Sequence, residues 1–200
     1  MTGNDAAFGF LPYGPVLRQR MYAVQTAPTI NVYLNDIVAH GGTSVATQKM
    51  GSLPIIADDA VPDGSGAGNL LGSVTAIFDE NMKPVKRIVV TEAGDDTVAG
   101  YVMVADHPQQ LFVVQEDSDS NAIEAAEMGY NVDIKSQDLC AGTAATGRSL
   151  MELDSTTAAN TATLDCKLHS AHPADTVASD YCRYIVSINA HFFGDNIVGV

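Results

Sequence analysis

What most constrains this chain is the cadence of its apolar residues. They come in short runs rich in β-branched and aromatic side chains, each closed by a turn signal. Such runs occupy Met21–Thr26, Ile30–Leu34, Leu71–Phe78, Val85–Thr91, Val98–Ala105, Gln110–Glu116, Thr161–Leu168 and Tyr181–Asn189. Between them stand Asp79-Glu80-Asn81, Ala93-Gly94-Asp95-Asp96 and Asp106-His107-Pro108. Many short strands at this spacing predict an all-β fold, an antiparallel β-sandwich or barrel (jelly-roll-like), rather than a parallel α/β sheet. One short helix is expected over Ala122–Met128. Asn121 and Glu124 have the capping-box spacing, and Gly129 suits the position just past a helix end.

Residues 1–20 follow no such period. Phe8, Phe10, Leu11, Tyr13 and Val16 are interrupted by Gly9, Pro12, Gly14 and Pro15. Pro12 and Pro15 disfavour a helix here, as does the residue before each, so the reading is an extended arm over 1–20 and a single β domain over 21–200. An arm this apolar has to dock, on its own domain or on a partner. That makes Phe8, Phe10, Leu11, Pro12, Tyr13 and Val16 the candidate partner interface. Two stretches, 57–69 and 141–147, read as loops from their Gly, Pro, Asp and small residues.

Charge narrows the partner. The 200 residues carry 10 Lys and Arg against 24 Asp and Glu, a formal net charge of −14. That balance repels phosphate, so neither direct nucleic-acid binding nor a basic membrane patch is expected. Met1–Phe10 has no basic or apolar region of a secretory leader, and no apolar run reaches the roughly 18 residues that span a bilayer. Cys140, Cys166 and Cys182 are odd in number and widely spaced, which suits reduced thiols made in a cytosol.

No motif assembles a catalytic or metal site, so no catalytic residue, no metal and no cofactor are expected. Asp117-Ser118-Asp119-Ser120-Asn121 begins like an EF-hand loop, but Ala122 and Met128 stand where Gly and Glu are needed. His169 and His172 lie three apart in what reads as a strand and a turn, not on one helix face. Gly64-Ser65-Gly66-Ala67-Gly68 lacks both the following helix and the Lys of a phosphate cradle. Ser155, Thr156, Thr157, Thr161 and Thr163 fit turns and strand edges, and Glu152 and Asp154 are two acids among many.

Five segments in order resemble the small capsid decoration (cement) proteins of tailed bacteriophages. Ala7-Phe8-Gly9-Phe10-Leu11-Pro12 resembles that family's opening Phe-Gly-Phe-Arg-Pro, with Leu11 where the family has Arg. Leu71-Gly72-Ser73-Val74-Thr75-Ala76-Ile77-Phe78 is similar to its Gly-Val-Val-Xaa-Gly-Phe strand. Tyr101-Val102-Met103-Val104-Ala105-Asp106-His107-Pro108, then Phe112-Val113-Val114-Gln115-Glu116-Asp117, is the nearest match. Glu152-Leu153-Asp154-Ser155-Thr156-Thr157, with Thr161-Ala162-Thr163-Leu164, and Val186-Ser187-Ile188-Asn189-Ala190-His191 complete the series.

The resemblance implies a non-enzymatic, all-β virion protein made in the host bacterial cytoplasm. It would sit on the outer surface of an icosahedral head, with the major capsid protein and further copies of itself (trimer or dimer) as partners. A head fibre, neck or tail component, and a carbohydrate-binding β-sandwich, are the alternatives. The last is disfavoured by the absence of Trp and an aromatic content of 6%.

Overall fold

The computed structural model describes residues 5–25, 31–47, 51–56, 70–89, 98–118, 121–135, 142–189 and 191–194. Over these residues the chain is all-β. In order the strands are β1 (Leu11–Tyr13), β2 (Gln19–Gln25), β3 (Asn31–Tyr33), β4 (Ile37–Thr47), β5 (Gly51–Ile56), β6 (Leu70–Asp79) and β7 (Arg87–Val89). There follow β8 (Val98–Ala105), β9 (Leu111–Gln115), β10 (Asn131–Val132), β11 (Gly142–Thr143), β12 (Arg148–Ser149), β13 (Cys166–Ala171) and β14 (Arg183–Ile188). Strands β2, β5, β4, β6 and β8 pair in that order as a closed barrel. Every pairing in it is antiparallel except β2 with β5. Strands β1, β9, β14, β13 and β10 form an antiparallel five-stranded sheet.

The two bodies share a wall, and a strand's period of two explains how. On β4, Val38 points into the barrel with Tyr22, Val24, Leu71, Val74, Val102 and Val104. Its neighbours Ile37 and Ala39 point the other way, into a second core with Phe112, Val114, Leu168, Tyr184 and Val186 of the sheet. Leu70 and Leu71 divide in the same manner, as do Val104 and Ala105. One set of strands therefore serves two hydrophobic cores, so neither body keeps its core if the other is removed.

Closure needs strong local bending, and register shifts supply it between Val24 and Gln25, Val38 and Ala39, and Val74 and Ala76. Gly72 lies at one of them with φ +149°. A Cβ there would come within 1.9 Å of the Ala105 carbonyl oxygen, so no larger residue fits that crossing.

The structure differs from the sequence expectation in four places. The predicted helix over Ala122–Met128 is a single 3₁₀ turn at Ala125–Glu127. Tertiary partners take backbone donors at both ends of the run: Ile123 N–H, which the expected cap would use, donates to Glu116, and Gly129 N–H, which would close the last turn, donates to the Leu168 carbonyl. The reciprocal cap forms three residues later than expected, with Glu124 N–H donating to the Glu127 carboxylate at 2.7 Å. The strand expected at Thr161–Leu168 begins at Cys166, because the Asn189 amide holds the Ala162 and Leu164 carbonyls in a turn. Residues 142–149, within and beyond one predicted loop, form the β11–β12 hairpin. The loop at 57–69, the turn at 93–96, the Gly64–Gly68 run, Asp119 and Cys140 lie outside the described residues.

Candidate functional site

The N-terminal segment is laid along the domain and tied down by backbone bonds. Phe10 N–H donates to the Asn35 carbonyl at 2.8 Å, and the Asn35 amide donates back to the Phe8 carbonyl at 2.9 Å. The Ser73 hydroxyl donates to the Phe10 carbonyl at 2.6 Å. The buried Gln110 amide serves the other end: its oxygen accepts from Leu17 N–H, and its nitrogen donates to the Tyr13 carbonyl. Gly9 makes the approach possible. Its φ is +72°, and a Cβ would meet the Asn35 carbonyl oxygen at 2.4 Å and Ser149 Cβ at 2.5 Å.

Phe10 does not face a partner. It is 0% exposed, packs edge-on to Phe112 at 6.4 Å between centroids, and belongs to the core shared by sheet and barrel. This corrects its place among the interface candidates, for a plain reason: burying the ring in the shared core removes its apolar surface from water. The boundary expected at residue 20 also yields to the register, since β2 begins at Gln19 and β1 is the outermost strand of the sheet. Phe8 and Pro12 are half-buried.

The remaining candidates stand outward. Leu11, Tyr13 and Val16 are 49%, 38% and 41% exposed, and Leu17, which the sequence reading passed over, is 50% exposed. Leu11 and Tyr13 lie two apart on β1 and so share a side. Pro12 between them has no N–H, and proline is tolerated in a ladder where that position points away from the paired strand. The open edge of β1 is therefore short of a donor and poorly suited to receive another strand.

Beside this run lies a built ionic cluster that the sequence reading missed. Arg18 and Arg20 donate through Nε to Asp106 Oδ1 and Oδ2 at 2.8 and 2.5 Å. The Tyr22 hydroxyl donates to Oδ2, and Arg18 Nη2 to the Asp106 carbonyl at 2.6 Å. Burial alone would raise the Asp106 carboxyl. The Tyr22 hydroxyl and both guanidiniums outweigh that and hold it below the usual carboxylate range. The Phe193 ring lies beneath both arginines, 4.0 Å from the Arg20 guanidinium carbon and 5.1 Å from that of Arg18. The signal was present in sequence as Arg-x-Arg at strand spacing, but Asp106 read as a turn residue.

The other sequence candidates have structural roles. Asp117 accepts from the Ser155 hydroxyl at 2.8 Å and pairs with Lys135 at 2.9 Å. Asp154 caps the Ser155–Thr157 turn through Thr156 N–H. His169 bonds the Ser187 hydroxyl across β13 and β14, while His172 lies beyond the end of β13, edge-on to Tyr13. Cys166 and Cys182 are free and buried. Among the described residues no group of three His, Cys, Asp or Glu could hold a metal ion, and no helix is long and apolar enough to cross a membrane.

Two buried carboxyls carry a pH signature. Burial pushes Asp36 up to about 7, against the pull of Ser149 and of Tyr33 N–H, and burial likewise pushes Glu116 to about 7. A carboxyl raised above its unfolded value adds stability that is complete below about pH 4 and is lost as pH rises through about 7. Asp36→Asn removes the charge yet keeps an acceptor for Tyr33 N–H, which now reaches Oδ2 at 2.7 Å. Between pH 5 and pH 8 the stability difference is expected to move in the variant's favour by about 2 kcal/mol. Urea unfolding of both proteins at the two pH values measures it, and parallel pH curves would contradict the assignment.

No family model, curated protein or solved structure matches this chain.

Proposed function

We propose that this chain is a non-catalytic virion protein that binds the outside of an icosahedral phage head and stabilises it by bridging capsid subunits. The observation that carries the reading is the concentration of exposed apolar groups. Of the seven large hydrophobic side chains left exposed among the described residues, four fall within Leu11–Leu17. Scattered apolar residues need no explanation, whereas four on one hydrogen-bonded segment make an interaction surface. The ordered sequence resemblance supplies the partner, the major capsid protein, with copies of this chain as neighbours on the lattice. The net charge of −14 supports an outward position, away from packed DNA. The finer architecture, a jelly-roll-like sandwich, belongs to the same reading. A barrel and an open sheet packed on one core share its short-strand, antiparallel design.

The mechanism is mechanical. A protein that binds the assembled shell but not its separated parts lowers the free energy of the assembled form, and many identical sites on one lattice act together. The interface side chains sit on backbone already fixed by Asn35, Ser73 and Gln110, so little ordering remains to be done on docking.

Exposed positions separate binding from folding. Leu11→Ser combined with Val16→Ser is expected to change stability by no more than about 0.5 kcal/mol per site. It is expected to weaken binding to heads stripped of this protein at least about tenfold. Copies bound per head, measured by quantitative gel or mass spectrometry, test both the variant and the reading. Wild type should approach the copy number of the major shell subunit. A number set by one vertex would assign the chain to a neck, fibre or tail instead.

A further inference from the structure

Arg18 directly precedes β2 and Arg20 lies within it, two residues on, and both side chains reach to one side, onto Asp106. One carboxylate, Asp106 at 0% exposure, holds the Nε edge of each guanidinium. Arg20 remains 43% exposed, and among the described residues its only hydrogen bond is the one through Nε. Among the described residues its two Nη groups have no acceptor, on a guanidinium whose position is already fixed. Around them is an aromatic floor. Phe193 lies under both arginines, and Phe192, 39% exposed, stacks on His40 at 4.1 Å and 5°. The cluster of two guanidiniums and one carboxylate keeps a net positive charge in a chain of net charge −14.

We propose that this arginine–aromatic platform receives a carboxylate-bearing segment of the capsid subunit, forming the charged rim of the interface whose apolar part is Leu11–Leu17. The inference rests on the shell-binding reading and names the partner's chemistry. A planar guanidinium fork whose two NH2 groups face outward matches a carboxylate in shape and charge. Holding the arginine beforehand removes the ordering cost that normally makes exposed ion pairs weak. Arg18 follows Leu17 directly, so the platform borders the apolar run as a polar rim borders an interface core. A phosphate oxyanion would fit the same guanidinium fork, so the competition below compares carboxylate and phosphate polymers at equal charge.

Arg20→Lys and Phe192→Ser are the variants of choice. The first keeps the charge but loses the fork, and the second removes an exposed ring. Thermal melts establish that each is folded. Rebinding to stripped heads is expected to weaken roughly tenfold for Arg20→Lys, with Phe192→Ser weakened in the same direction. Poly-L-glutamate should displace wild-type protein from heads, and an oligothymidylate of equal charge should not. In the isolated protein, the Arg20 Nε–H resonance should shift saturably with poly-L-glutamate. Folded variants that rebind like wild type, or displacement by oligothymidylate as readily as by poly-L-glutamate, would overturn the platform. Wild type that fails to rebind any head would overturn the shell reading instead, and the resonance titration would still decide the platform: no saturable shift ends it.

Discussion

Phe10→Ala is expected to destabilise the whole domain by about 4 kcal/mol, although residue 10 lies in a segment that reads from sequence as an extended arm outside the β domain. The ring is 0% exposed, contacts Phe112, and helps fill the core that sheet and barrel share. Its loss leaves a cavity that the neighbouring backbone, bonded at Asn35 and Ser73, is poorly placed to close. Against the 5–15 kcal/mol of a typical domain this is a large fraction. Removing residues 1–14 should do at least as much, since it also strips β1 from β9 and opens an internal strand as an edge. Urea midpoints at fixed pH measure both. A truncated chain with the wild-type midpoint would show that the segment rests on the domain without supporting it.

Asp106→Ala is the second large effect, about 3 kcal/mol. The carboxylate accepts from Arg18, Arg20 and Tyr22, and its removal strands a buried tyrosine hydroxyl and frees two cations from a shared anchor. The partial exposure of both arginines lets water recover some of that loss. Asp106→Asn keeps an acceptor for Tyr22 and should cost less. The pH dependence has the opposite sign to that of Asp36. A carboxyl held below its unfolded value contributes stability present above about pH 4 and lost as pH falls further, so the Asp106→Ala penalty should shrink in acid. Urea unfolding of wild type and variant at pH 7 and pH 3 reads this directly. A penalty that stays constant would remove the ionised carboxylate from the account.

The strands that could be read in the sequence are those whose side chains alternate cleanly or run unbroken through a buried wall. β6, β8, β9 and β14 are of this kind, and each lies within a residue or two of its expected place. β4 and β5 escaped because Gly41-Gly42 interrupts the first and Pro54 stands in the second, both ordinary strand breakers. Their place in the barrel depends on pairing with β2 and β6, which no local pattern encodes. The helix over Ala122–Met128 failed for the converse reason. Its propensity was sound, but Glu116 and Leu168 competed for its backbone donors. In the candidate site, Leu11, Tyr13 and Val16 were legible as apolar groups without a local home. Which of the arm's residues turned inward was not, because Phe10 and Leu11 differ only by which side of one extended chain they occupy. The Arg18–Asp106–Arg20 cluster joins positions more than eighty residues apart, and only the β2–β8 register brings them together.

On the proposed shell-binding role, cryo-electron microscopy of tailed-phage particles carrying this chain decides where it sits. Density for this chain is expected on the outer face of the head, repeated over the lattice at junctions between capsid subunits. Leu11, Tyr13, Val16 and Leu17 should be against the shell and the acidic surface toward solvent. Density confined to one vertex, to the tail or to the inner face beside the DNA would contradict it.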